Sequence, residues 1–170
     1  MKISKATVAD AAELVDLLNS AYRGESSKQG WTTEAHLIAG DVRTNEQTVR
    51  DVINEPGSVI LKCTDEQNHI VGTVNLQKHH HKLYLGMFSV SPASQGGGIG
   101  KKLLIAAEAH AREVDCSMIY MKVISVRTEL IDWYKRNGYV DTGEIEPFIE
   151  DGLTGKHLQK LEFAVLEKTI

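Results

Sequence analysis

Three consecutive glycines, Gly96-Gly97-Gly98, stand between a strand-like run that ends at Val90 and an amphipathic pattern that opens at Ile99. Glycine weakens helix and strand alike, by roughly 0.5–1 kcal/mol per residue against alanine. The chain must therefore turn here, and Ser91-Pro92 begins the turn. Ile99, Leu103, Ala106, Ala107, His110 and Val114 then recur at helical spacing, so a helix starts inside the glycine run. Its first N–H groups lack intrahelical partners, and its dipole presents a positive end to the loop. Glycine lets a ligand approach that backbone closely. Such a place suits a phosphate or pyrophosphate, and Lys101 and Lys102 add positive charge. A flexible strand-to-helix turn without a ligand is the plainer reading of the same residues.

Position counting separates the phosphate ligands. A Walker loop needs glycine five residues before its final Gly-Lys, but Gln95 stands there and Lys102 takes the Ser/Thr place. The dinucleotide pattern counted from Gly96 ends on Lys101, and counted from Gly98 it fails again. Both nucleotide classes lose support.

The flanking pattern defines a fold class. Ile3 to Ala6 reads as a strand, and Thr7 with Asp10 signals a helix start. Ala11, Leu14, Val15, Leu18 and Tyr22 form one apolar face. Gly24 to Trp31 reads as a mobile loop, Thr32 or Thr33 as the cap of a short helix through Ile38, and Asn45 as the cap of a helix from Glu46 to Asn54. Ser58–Thr64, His69–Lys78 and Lys82–Val90 predict an antiparallel meander. Ser117–Ile124 is apolar enough for a central strand, and Thr128–Asn137 predicts a helix closed by Gly138. Tyr139–Gly143 and His157–Leu166 complete the strands. The expectation is a mixed α/β fold, with a largely antiparallel central sheet flanked by helices on both faces.

Bulk properties narrow the classes of function. The 170 residues favour one domain over the whole chain. A net charge of −4 without a long basic run argues against nucleic acid as a partner. No stretch is apolar enough to span a bilayer, and no signal-peptide pattern opens the chain, so no membrane association and a cytoplasmic location are expected. Cys63 and Cys116 lack metal or redox spacing and read as buried thiols. His79-His80-His81 falls in a hairpin turn, where neighbouring side chains diverge; no metal site is expected.

Gln95-x-x-Gly98-x-Gly100, followed by Lys101-Lys102-Leu103-Leu104, resembles the coenzyme A signature of the GNAT superfamily, Arg/Gln-x-x-Gly-x-Gly/Ala. The order of elements is similar over nearly the whole chain. The resemblance implies a GNAT-like acyl-CoA N-acyltransferase fold with acetyl-CoA as co-substrate. It implies that backbone N–H groups of Gln95, Gly96, Gly97, Gly98, Ile99, Gly100 and Lys101 hold the pyrophosphate, and that Phe88, Ser89 and Val90 pair with the pantetheine arm. Trp133-Tyr134-Lys135-Arg136-Asn137-Gly138-Tyr139 is similar to the family's aromatic-Tyr-x-x-x-Gly-aromatic segment. By that resemblance Tyr134 protonates the leaving thiolate, a role that a positioned O–H suits; as a lone tyrosine it would read as core. Backbone N–H near Ser89 and Val90 would stabilise the oxyanion. Where the family often has asparagine, this chain has Arg127, a coenzyme contact through phosphate or a solvated cation.

The acceptor side is less legible. The strand before the loop, Leu83–Phe88, carries no carboxylate, so the general base is unassigned. Tyr22, Trp31 and Glu34 lie in the segment that, by resemblance, covers an amine acceptor, small molecule or peptide. Glu34 reads either as a ligand or relay for the amine or as a first-turn helix acid; Tyr22 and Trp31 shape a pocket or merely pack. Acidic residues between Glu144 and Asp151 would attract a cationic acceptor, or form a solvated loop. The leading expectation is N-acetyl transfer by direct attack, since no Ser or Cys occupies a nucleophile elbow. The alternative is a non-catalytic module that binds CoA or acyl-CoA. The acyl chain and acceptor identity are open, and so is a homodimer.

Overall fold

The computed structural model describes residues 1–170. In chain order the elements are β1 (Lys2–Lys5), α1 (Ala11–Tyr22), α2 (Gly24–Ser27), β2 (Ile38–Ala39), α3 (Glu46–Asn54), β3 (Ser58–Thr64), β4 (Ile70–His79), β5 (Lys82–Val90), α4 (Ile99–Glu113), β6 (Met118–Ile124), α5 (Thr128–Arg136), β7 (Val140–Phe148), β8 (Lys156–His157) and β9 (Leu161–Thr169). Seven strands form one sheet in the order β1-β3-β4-β5-β6-β9-β7. All its pairings are antiparallel except β5 with β6. The mixed α/β class read from the sequence is the class observed.

Strand alternation puts helices on both faces. Leu61 and Cys63 of β3 join the larger core with α4 and α5, through Leu103, Ala107, Leu130 and Tyr134. Ile60, the neighbour of Leu61, points the other way and packs with Leu14, Leu18 and Val49 from α1 and α3. The helix signals are met locally. Asn45 Oδ1 accepts the Thr48 N–H at 2.9 Å, and Asp10 Oδ2 accepts the Thr7 N–H at 2.9 Å. Gly138 closes α5 at φ 94°.

One irregularity opens the sheet where the site lies. Thr73 faces Ser89 and Asn75 faces Gly86, so Met87 and Phe88 of β5 oppose the single residue Val74 of β4. Met87 takes φ 48° to make this bulge, and a bulge bends its strand. The parallel pairing of β5 with β6 covers only Lys82–Tyr84 against Met118–Tyr120. Beyond Tyr84 the two strands part, and Leu85–Val90 borders the resulting gap.

Three expectations are corrected. The segment expected as a loop from Gly24 contains the one-turn helix α2, pinned by Ser27 Oγ, 2.7 Å from Gly24 O and 2.6 Å from Thr33 Oγ1. The helix expected after Thr32 and Thr33 does not form. Glu34 N–H instead reaches back to Tyr22 O at 2.8 Å, and a single turn delivers the chain to β2. In the late hairpin, β7 runs past a bulge around Gly143 to Phe148, while β9 starts only at Leu161 because His157 belongs to β8, which pairs with β2.

Candidate active site

The glycine loop forms a cradle. Gly96 and Gly98 adopt φ 88° and 81°, and a Cβ on either would meet nothing within 4 Å. Gly98 is the N-cap of the 15-residue α4 and supplies no side-chain cap, so the helix's first N–H groups remain available. They border a cavity of about 530 Å³ whose wall includes Tyr22, Trp31, Val90, Lys101, Trp133 and Arg136. Gly100 lets α4 approach the opposite wall: a Cβ there would lie 3.3 Å from Trp133 and 3.4 Å from Phe88. Of the loop positions singled out by sequence, Gln95, Gly96, Gly98, Ile99, Gly100 and Lys101 line this cavity, with Phe88 and Val90. Gly97 and the buried Ser89 do not. An uncapped helix N-terminus, a backbone bare of side chains and two wall cations, Lys101 and Arg136, fit a pyrophosphate.

Gln95 has a second connection. Its Oε1 accepts the Trp31 N–H at 2.7 Å, and its Nε2 donates to Thr32 Oγ1 at 2.8 Å and to Val90 O at 3.1 Å. Gly30 lies directly against the amide, where a Cβ would come within 2.3 Å of Oε1. The side chain thus ties the phosphate-type loop to the segment read as the acceptor cover.

A second cavity, about 330 Å³, adjoins the first. Tyr22, Phe88 and Leu130 border both, and the Tyr22 hydroxyl donates to Phe88 O at this junction. Tyr134 lines the second cavity and packs edge-on against Trp133 and Tyr139. Burial drives its phenol well above the ordinary tyrosine range, and Tyr22 and Tyr139 push it the same way; Arg127 and Arg43 pull back less strongly. Tyr134 is therefore fully protonated at neutral pH, as a proton donor must be.

Glu34 and Arg127 do not stand where the sequence placed them. Arg127 is 1% exposed and is absent from the wall of the glycine-loop cavity. Its Nη1 lies 3.3 Å from Glu34 Oε2, and Arg23 Nη1 donates to Glu34 Oε1. The coenzyme-contact role drawn for Arg127 thus gives way to a buried ion cluster. Glu34 lines the second cavity, but both its oxygens are engaged, so it offers no free carboxylate to an ammonium group, and it stands outside any helix. It is the sole carboxylate on that wall. Trp31 borders the glycine-loop cavity rather than the second one, 6.2 Å from Trp133 between ring centroids. Tyr22 borders both.

Sequence reasoning missed Arg43 and Arg136. Arg136 sits inside the segment that carries Tyr134, one helical face away from notice. Arg43 has no local signal: it reaches the site only because Asn19 Oδ1 accepts the N–H groups of Arg43 and Thr44, at 2.6 and 3.0 Å. No group of three or more His, Cys, Asp or Glu side chains is arranged to hold a metal ion. No helix is long and apolar enough to cross a membrane.

Comparison with known proteins agrees with this architecture. A ribosomal-protein-alanine N-acetyltransferase from Brucella melitensis superposes with TM-score 0.76 at 20% identity, over 100% of both chains. An acetyltransferase of the GNAT family from Staphylococcus aureus gives 0.70 at 18%, over 99% of this chain and 98% of that one. A spermidine N-acetyltransferase chimera from Vibrio cholerae gives 0.70 at 15%, over 99% and 94%. At these identities the likeness establishes the fold. No curated protein sequence matches the chain. The model of the acetyltransferase (GNAT) family matches residues 12–139, a span that holds the glycine loop, the β5 bulge and Tyr134, and the chain therefore belongs to that family.

Proposed function

We propose that the protein is an N-acetyltransferase that moves an acetyl group from acetyl-CoA to a primary amine by direct attack. The observation that carries this is the junction of the two cavities at Tyr22, Phe88 and Leu130, with a phosphate cradle at one end and Tyr134 at the other. Backbone N–H groups from Gly96 to Lys101 hold the pyrophosphate. The backbone of Phe88–Val90, at the edge of the gap between β5 and β6, guides the pantetheine arm. Tyr134 donates a hydrogen bond or proton to the departing thiolate, because its raised pKa keeps the phenol intact. Attack by the amine closes the C–N bond and breaks the C–S bond; the amine proton leaves through water, since the one carboxylate on the acceptor wall is neutralised by Arg23 and Arg127.

That lack of a free carboxylate gives a second reading its footing, a module that binds acyl-CoA without acetylating an amine. Two measurements separate them. Acetyl-CoA raises the melting temperature under either reading, because a ligand of the native state stabilises it. Thiol release across a panel of amines occurs only if the protein is an enzyme, and Tyr134→Phe then lowers turnover far more than acetyl-CoA affinity. Amines are acetylated by relatives of quite different acceptor preference, a ribosomal protein's alanine in one case and spermidine in another, so the fold does not choose among them.

A further inference from the structure

The second cavity carries a charge pattern that the reaction itself does not require. Arg43 and Glu34 both line it, whereas Arg23 and Arg127, the two partners of Glu34, do not border it. Glu34 is shared between Arg23 and Arg127, and Nε of Arg127 also lies 3.7 Å from Glu129 Oε1. Arg43 is left without any carboxylate within 4.0 Å. Its guanidinium lies 4.1 Å over the Tyr22 ring, and Nη1 stands 3.5 Å from Ser89 Oγ. The nearby Lys122 is matched by Glu146 at 2.7 Å. A wall whose one carboxylate is already neutralised and whose half-buried Arg43 has no carboxylate partner repels a dication and favours an anion.

From this we infer that the acceptor is a small amine bearing a carboxylate close to its amino group, with an apolar body: a free apolar amino acid. The inference rests on the reading of this cavity as the acceptor site. Arg43 supplies the carboxylate's partner, a planar fork suited to bidentate pairing. Its position fixes the spacing. Arg43 stacks on the ring of the same tyrosine whose hydroxyl bonds Phe88 O at the cavity junction, so the anion site lies one aromatic ring from the transfer point. Most of the remaining wall is apolar, including Met87, Met121, Phe148 and Phe163, which receives a hydrocarbon or aromatic side chain.

The test is thiol release from acetyl-CoA with matched acceptors: leucine, methionine and phenylalanine, each beside its amide and its decarboxylated amine. The free acids are expected to be preferred in kcat/KM by about a hundredfold or more, since a site built to pair a group rejects the analogue that lacks it. The amide has the less basic amine, so its larger neutral fraction biases the comparison against the expected result. Arg43→Met should erase the preference while acetyl-CoA still raises the melting temperature, and Arg43→Lys should retain part of it. Equal or better turnover of the amides and plain amines would overturn the inference and leave the acetyltransferase reading standing. Turnover of no amine at all, with acetyl-CoA bound, would overturn both.

Discussion

The amide oxygen of Gln95 accepts the backbone N–H of Trp31 at 2.7 Å, across a separation of 64 residues. One side chain therefore joins the glycine loop to the segment of Trp31 and Thr32, which we propose covers the acceptor. Because Gln95 Nε2 also holds Thr32 Oγ1 and Val90 O, a shift of the loop is transmitted to the cover of the site.

Gln95→Ala should loosen that cover without removing the phosphate cradle, whose donors are backbone N–H groups. The acceptor KM is expected to rise more than the acetyl-CoA Kd, with a stability loss of about 1–3 kcal/mol from the unpaired groups left behind. Gly30→Ala gives an independent check. Its backbone tolerates alanine, but the new Cβ would meet the Gln95 amide at 2.3 Å, so the same split between KM and Kd is expected. Steady-state kinetics beside calorimetric titration of acetyl-CoA reads both.

Gly98→Ala combines two effects, a left-handed backbone at φ 81° and a methyl group in the open cradle. Strain alone costs about 1–2 kcal/mol. Gly143 has φ 82°, with nothing within 4 Å of its Cβ position, and lies outside the glycine-loop cavity. Gly143→Ala should thus match the stability loss while leaving acetyl-CoA affinity intact, and Gly98→Ala should lower that affinity tenfold or more, by about 1.4 kcal/mol. Titration of both variants isolates the cradle from the strain.

Glu34 divides structure from catalysis. Glu34→Gln removes the negative charge between two buried guanidinium groups and is expected to cost about 3–5 kcal/mol in urea unfolding, the scale for breaking a buried ion pair. A general base would behave differently, with the fold intact and the alkaline rise of the rate abolished.

The pH profile follows from Tyr134. Its proton is needed for donation, and burial raises its pKa above the ordinary value of 10.0. Activity should therefore rise as the acceptor amine deprotonates and show no fall below pH 10.0 attributable to this residue. A falling limb nearer neutrality that disappears in Tyr134→Phe would contradict the assignment.

Much of this frame was legible in the sequence because its signals are local. Gly96 to Gly98 cannot sit comfortably in a helix or strand, Asn45 caps the helix it precedes, and Gly138 ends α5 in the left-handed region. The Glu34–Arg127 pair was not legible, since 93 residues separate the partners and nothing local marks either as buried. Arg127, seven residues before Tyr134, reads by resemblance as a phosphate contact or a solvated cation; the fold instead buries it. The bulge at Met87 left no trace either, because a positive φ at methionine has no sequence signature. The helix expected after Thr32 is reduced to one turn, closed by the Leu37 and Ile38 N–H groups on Glu34 O, because Ile38 and Ala39 then pair with His157 and Lys156, a long-range contact no local signal announces.

The central claim is acetyl transfer across the junction at Tyr22 and Phe88. The most direct measurement is mass spectrometry of an amine panel, free amino acids included, incubated with acetyl-CoA and either the protein or its Tyr134→Phe variant. The account predicts an acetylated amine in step with released CoA thiol, sharply slowed in the variant while acetyl-CoA still binds. Acetyl-CoA binding with no acetylated amine from any acceptor, or equal product from both proteins, would contradict it.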